Sequence, residues 1–537
     1  MINHRRMAGT ALILGWLAWP HGAAAQAANT AGGGVPQHLG SVRFSTNCSP
    51  EAQSGFEKGV ALLHSFQYEE ARQTFAEVEK QDRKCAMAHW GEAMSLYHQL
   101  WDFPEAGKLE EGHKEVEAAN KLRPQGPREK GLVAATAAFY QKSNKRSHLQ
   151  RKQAYSAALE KLRREVPGDV EIDAFYALSL VSLADETQVD SMANLQQAIA
   201  VLQPLFQQYP DHPGVAHYLI HATDNPELAE QGLAAARRYA AIAPASPHAL
   251  HMPSHIFVRL GLWQDSIASN IASNASAARA AEMHTAESHY QTHAMDFLSF
   301  SYLQSGQESK AREVIAHADH IVGAGEESKA NDRAYLAART ALELHRWKEA
   351  ASLTAPGVSK NHQSMTQWAR AIGAARSGDV AAAQSAVKEL TKSVEERDSR
   401  ARKSGYNVAT EKATDLAEAE AWLAFAQAKT DQALQELRAA ADRQDKNGGD
   451  SVGIPAREML ADMLLEAKRS SDALAEYKIV LKNAPNRFDA LLGAGRAAQA
   501  AADATGAQTY YAKLTQVCPA GADRPELAEA KTVLAQK

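Results

Sequence analysis

His217 and His221 stand four residues apart in Val215-Ala216-His217-Tyr218-Leu219-Ile220-His221, and His251 and His255 stand four apart in His248-Ala249-Leu250-His251-Met252-Pro253-Ser254-His255. Each member of the second pair follows its counterpart by 34 residues, and a third pair, His289 and His293, comes 38 residues after the second. Residues i and i+4 share one helical face, with Cβ atoms about 5–6 Å apart. Packed helices run about 8–10 Å apart. Two imidazoles from each of two adjacent helices can therefore converge on one transition-metal ion at about 2.0–2.1 Å. The predicted ligands are His217, His221, His248, His251, His255, His289 and His293, enough for one ion with spare groups around it or for a dinuclear pair. All-imidazole ligation suits Cu, Zn, Fe or Ni and does not suit Mg or Ca, so the expected cofactor is a Cu, Zn or Fe ion. The competing reading is a polar groove lined with neutral histidines.

Carboxylates decide what such an ion could do. Asp296 follows His293 by three residues in the apolar stretch His293-Ala294-Met295-Asp296-Phe297-Leu298. A carboxylate there needs a partner, and Asp296 is the expected catalytic base, acting on metal-bound water in a hydrolytic reaction. Asp224 follows His221 by three residues, but Asp224-Asn225-Pro226-Glu227 also reads as the cap of a following helix. His284 and Glu287 read as solvated. His64, His89 and His98 form a second group nearer the N-terminus, read as helix packing or surface. Trp90, Tyr97, Trp101, Tyr218, Phe257 and Tyr290 read mostly as core. The chain has no His-Glu-x-x-His, no Gly-x-Ser-x-Gly, no phosphate-binding glycine loop and no dinucleotide fingerprint. Ser254, next to His255 on a helix, points away from it and makes no serine nucleophile.

The elements that position these residues repeat. The chain has 537 residues, 45% apolar and 23% charged, with 21 His. That length implies three or four packing units at about 150 residues each, and the composition disfavours collagen, coiled-coil and low-complexity classes. Its 58 basic and 63 acidic residues leave no basic footprint, so nucleic acid is not an expected partner. Arg5 and Arg6, the apolar run 11–19 and Ala23-Ala24-Ala25 predict a signal peptide over 1–25, followed by a flexible segment over 26–48. The apolar run is too short to span a bilayer, so the expectation is a protein of the periplasm or exterior with no membrane insertion after cleavage. In that oxidising setting Cys48 and Cys85 are expected to form a disulfide closing the first helical hairpin, leaving Cys518 unpaired.

Near the C-terminus a shift of 34 residues places Ala473 on Ala507, Tyr477 on Tyr511 and Pro485 on Pro519. Small residues let two helices cross closely, the aromatic plugs the crossing, and Pro ends the second helix. Gly59, Ala71 and Phe75 show the same grammar, Pro210 and Pro244 are again 34 apart, and Leu260-Gly261, Ser305-Gly306 and Ser377-Gly378 mark later turns. No period-2 alternation is long enough for a sheet. The predicted fold is all-α, a curved solenoid of antiparallel helix pairs with a concave groove, in an N-terminal part over 49–325 and a C-terminal part over 326–537.

These motifs resemble the tetratricopeptide repeat, over about residues 50–520 and most closely at 195–280 and 470–520. Ser254-His255-Ile256-Phe257 resembles a segment of secreted bacterial proteins of that kind. The resemblance implies that the paired histidines face the concave groove, where peptide-binding members place Asn, Lys and Arg. Histidine there argues against ordinary peptide-tail recognition. The favoured expectation is a metal-dependent enzyme, oxidative or hydrolytic, acting on a small molecule in the groove. The alternatives are a non-catalytic peptide- or protein-binding scaffold and periplasmic metal sequestration.

Overall fold

The computed structural model describes residues 38–100, 104–186, 191–283, 288–403, 411–449 and 451–535, together with 408. The leader over 1–25, Trp101, His284 and Glu287 lie outside them. The described secondary structure is helical, with no strand among the described residues, and consecutive helices pack as antiparallel pairs. Each pair forms for the reason the sequence suggests. In the first, Pro50–His64 buries Phe56, Val60 and Leu63, and Tyr68–Gln81 buries Ala71, Phe75 and Val78. A side chain at Gly59 would stand 2.6 Å from the Phe75 ring, and one at Gly495 would stand 2.8 Å from Tyr511. Helix crossings at both ends of the chain are thus set by glycine against an aromatic ring.

The turn inside each pair is also repeated. Gly261, Gly306 and Gly378 adopt positive φ, and the next N–H reaches back to a carbonyl of the last helical turn, as in Leu262 N–H to Phe257 O at 2.8 Å. In the first pair Phe66 takes that conformation at φ 56°, although a side chain there is strained. Its ring lies against the histidines described below.

The largest apolar core runs from Leu39 to Phe257, and a second from Ala338 to Ala530. Phe297, Phe300, Trp263, Val258 and Val452 join the middle of the chain to the later repeats. Trp263 Nε1–H donates to the Asn486 carbonyl at 3.0 Å, and Asn486 Nδ2 donates to Gly261 O at 3.1 Å. Buried Arg487 bridges Glu343 at 2.8 Å and Glu458 at 2.7 Å. The later repeats thus fold back on the middle ones, and helix Glu326–Glu343 stands across from the histidine helices as the far wall of a cavity. The predicted groove is this walled cavity.

Residues 38–48 depart from the expected flexible segment. They run extended against the first helices, where Phe44 packs on Phe56 and Trp90 and lies under Arg128. The buried aromatic provides the apolar area that orders them. Cys48 and Cys85 are disulfide-bonded and Cys518 is free. The bridge spans 37 residues, for which loop-closure entropy gives about 4 kcal/mol. Cys48→Ser should lower stability by about that amount in chemical denaturation, and a curve unchanged from the oxidised parent would contradict it.

Candidate metal centre

Three successive first helices of the repeats carry the histidines: Pro213–Thr223, the broken helix Pro247–His251 and Pro253–Arg259, and His289–Gln304. Pro253 has no N–H to donate, and the helix is interrupted at Met252, with His248 and His251 before the break and His255 after it. The second-helix partner of the broken helix, Trp263–Glu282, has 20 residues against 14 in Ala229–Ile242, which accommodates the longer spacing before His289.

The ligand sets differ from two pairs meeting at one ion. His217, His221 and His248 bring three ring nitrogens within 4.8 Å of one another, and His251, His255 and His293 do the same. Each trio takes both histidines of one helix and a third from the helix of the next repeat. The trios adjoin: the rings of His221 and His255 are 6.3 Å apart, as are those of His248 and His251. His289 belongs to neither trio; it lines the cavity one turn before His293.

Hydrogen bonds set the tautomers. His217 Nδ1–H donates to the His64 carbonyl at 2.6 Å, so its Nε2 carries a lone pair. That nitrogen faces His248 Nε2 at 3.0 Å and His221 Nε2 at 3.1 Å. One lone pair accepts one N–H, so three nitrogens cannot satisfy one another. In the second trio His251 Nδ1–H donates to Asn270 Oδ1 at 2.7 Å, the amide being oriented by its Nδ2 bond to Ser266 O. His255 Nδ1–H donates to Asp224 Oδ2 at 2.8 Å. Their two Nε2 lone pairs then face each other at 3.0 Å. A tetrahedral ion holding nitrogens at about 2.0–2.1 Å sets them about 3.3–3.4 Å apart, close to both spacings.

The shell around the trios is apolar and ordered. Phe66 packs on His217, His221 and His248, and Phe297 on His251, His255 and His293. Burial, with neighbouring histidines, holds His217, His248 and His251 well below the usual imidazole range and pushes His221 down to about 3. Neutral rings are the form that ligates. Asp224 ends helix Pro213–Thr223 and also accepts from Arg259 Nε at 2.8 Å. Burial opposes its charge, but Arg259 and His255 hold its carboxyl well below the ordinary range. Asn225, not Asp224, receives the Glu227 N–H of the next turn.

His64 supports the first trio from a third group. Its Nε2–H donates to Glu171 at 2.7 Å, His212 Nε2–H donates to the other Glu171 oxygen at 3.0 Å, and Tyr218 OH and Val215 N–H donate to their Nδ1 atoms. Every ring nitrogen is used, so this buried trio is a structural network whose product is the His64 carbonyl presented to His217. Gly214 lets His64 approach: a methyl there would stand 2.2 Å from His64 Nδ1. Gly214→Ala gains about 1 kcal/mol of helix propensity. Displacing His64 should outweigh that, with a net loss of about 2 kcal/mol and metal binding at the first trio weakened about 10–100-fold. Thermal melts and metal titration check both, and an unmoved titration would contradict the support assigned to His64.

The two trios open on a cavity of about 560 Å³ walled by Met252, Tyr290, Met295, Asp296, Asp332, Tyr335 and Leu336, among others. Asp296 lines it but is ion-paired with buried Arg339, whose Nη2 also donates to the Asp296 carbonyl at 2.7 Å. Asp332, across the cavity, is pushed up to about 6 by burial and by Asp296. Nothing in its local sequence, Ala330-Asn331-Asp332-Arg333, marked it. Asn270 had a weak signal, as a buried polar residue at helical spacing from Ser266 and Ser273. His89 bonds Glu115 at 2.8 Å, and His98 stacks on Tyr68, whose ring stacks in turn on Phe66 beside the first trio; neither is a member of a trio.

No profile of a known protein family matches the chain, and no curated protein does. Among solved structures it is similar to a tetratricopeptide repeat protein from Parabacteroides merdae (14% identity, 54% of this chain and 97% of that one, TM-score 0.29). It is also similar to yeast Tom70 (10%, 90% and 96%, TM-score 0.31) and to the human IFIT1 dimer with m7Gppp-AAAA (13%, 85% and 94%, TM-score 0.35). The likeness lies in stacked helix pairs and assigns no residue of the histidine centre.

Proposed function

We propose that the two three-histidine sites hold a pair of transition-metal ions, Cu, Zn or Fe, and that the chain is a metal-dependent enzyme acting oxidatively or hydrolytically on a small molecule in the cavity. The reading rests on one observation: His251 and His255 each commit Nδ1–H to another acceptor and turn bare Nε2 atoms on each other at 3.0 Å. Between neutral rings that contact is repulsive unless a cation accepts both lone pairs. Asp332 is proposed to move protons, with Asp296, the base expected from sequence, engaged by Arg339. The predicted leader makes the periplasm or exterior the proposed location.

Protein purified without a His tag is expected to carry about two ions per chain by elemental analysis. His217→Ala and His251→Ala should each remove one, with far-UV circular dichroism unchanged. Two ions retained in both variants would place the sites elsewhere. A metal-free protein that captures peptides would return the chain to the scaffold reading.

A further inference from the structure

We propose that the paired sites are a dicopper centre that takes up dioxygen between the two ions. The proposal rests on the metal-site reading above and adds the metal and its small-molecule ligand. Both trios are built from imidazoles alone, a ligand with no charge of its own, with no thiolate or carboxylate among the six donors. The charge of any ion is therefore left to the surroundings. The cost of burying an ion scales with the square of its charge, so a divalent ion costs about four times what a monovalent one does. The nearby carboxylates do not offset it: Asp224 is spent on Arg259 and Asp296 on Arg339. Asp332 lies on the opposite wall.

Cu(I) is the monovalent ion that nitrogen donors hold well among the first-row metals, and imidazole also suits Cu(II). Three donors leave each ion an open position. His221, His248, His255 and His293 reach the cavity from the two trios, so the open positions share one space. Phe66 and Phe297 keep the donor side dry. A two-atom ligand bridging adjacent ions fits there, and the remaining volume admits an organic molecule beside it.

The step balances within the site. Each Cu(I) gives one electron and becomes Cu(II), and dioxygen takes both electrons and is reduced to the peroxide level with its O–O σ bond intact. No proton and no further reductant is needed, and release of dioxygen reverses the transfer.

The test loads metal-free full-length protein anaerobically with Cu(I) as its acetonitrile complex, with and without equimolar Zn(II), and then titrates dioxygen. Two Cu(I) per chain retained against Zn(II), one dioxygen taken up per two Cu, a new near-ultraviolet absorption and an EPR-silent product are expected. His217→Ala should hold one Cu and lose the uptake. His293→Ala, altered on the cavity side, should do the same if the first variant folds poorly. Displacement of Cu by Zn, or two Cu bound with no uptake, would overturn the proposal while leaving two metal sites in place. Failure to bind either ion would overturn both.

Discussion

Metal-free protein should lose stability as the pH falls from 7 to 5, through three histidines alone. His217, His248 and His251 are fully buried, with relative exposures of 0%, 3% and 2%. Burial holds each well below the usual range in the folded chain, whereas the unfolded chain titrates near 6.5. Below that pH the unfolded state binds protons that the folded state refuses, so stability falls as pH falls, by about 1.4 kcal/mol per pH unit for each ring. Above it the difference vanishes. Saturating metal should raise the stability by an amount set by its affinity and leave the slope unchanged, because ligated rings also refuse protons. Denaturant titrations at several pH values, with and without metal, test this. A shallow metal-free slope that steepens on loading would mean that the empty rings swing out and take up protons.

Asp224→Ala is expected to cost about 3 kcal/mol of stability and to weaken metal binding at the His251 trio about 10–100-fold. The carboxylate has two obligations. It fixes the His255 ring through Nδ1, and it neutralises Arg259, which is 10% exposed. Arg259 in turn donates to Gly448 O at 3.0 Å and Gly449 O at 3.2 Å, so the same carboxylate ties a loop of the later repeats to the metal helices. Removing it leaves a nearly buried guanidinium without its counter-charge. The Asp224 carboxylate is bonded to His255 and Arg259, so the first trio should keep its ion, and metal content should fall from two to one at limiting metal concentration. Asp224→Asn can still accept from His255 but cannot neutralise Arg259. It should recover most of the metal affinity and little of the stability, and equal losses in both variants would show that the two obligations are not separable.

Gly59, Phe75, Gly495 and Tyr511 were readable as helix crossings because close approach is a local steric matter, repeated every time a pair forms. The pairing of His217 with His221 and of His251 with His255 was equally readable, since a four-residue spacing on a helix leaves two rings on one face wherever that helix goes. How the ligands divide was not. The assignment of His248 to the earlier trio and His293 to the later one follows from how neighbouring repeats pack on each other, which is a three-dimensional fact.

The sequence by itself determined an all-α stack of helix pairs and a ladder of histidines at its repeat period, because periodicity and spacing survive any later arrangement of the helices. Only the tertiary structure decided which nitrogens meet and which protons they keep. The His64 carbonyl that sets the His217 tautomer lies 153 residues away, Asp224 acts on the next repeat rather than its own, and Arg339 reaches Asp296 from another helix. Those contacts depend on the superhelical path that brings distant repeats together, and that path is the sum of many small packing angles that no single segment encodes.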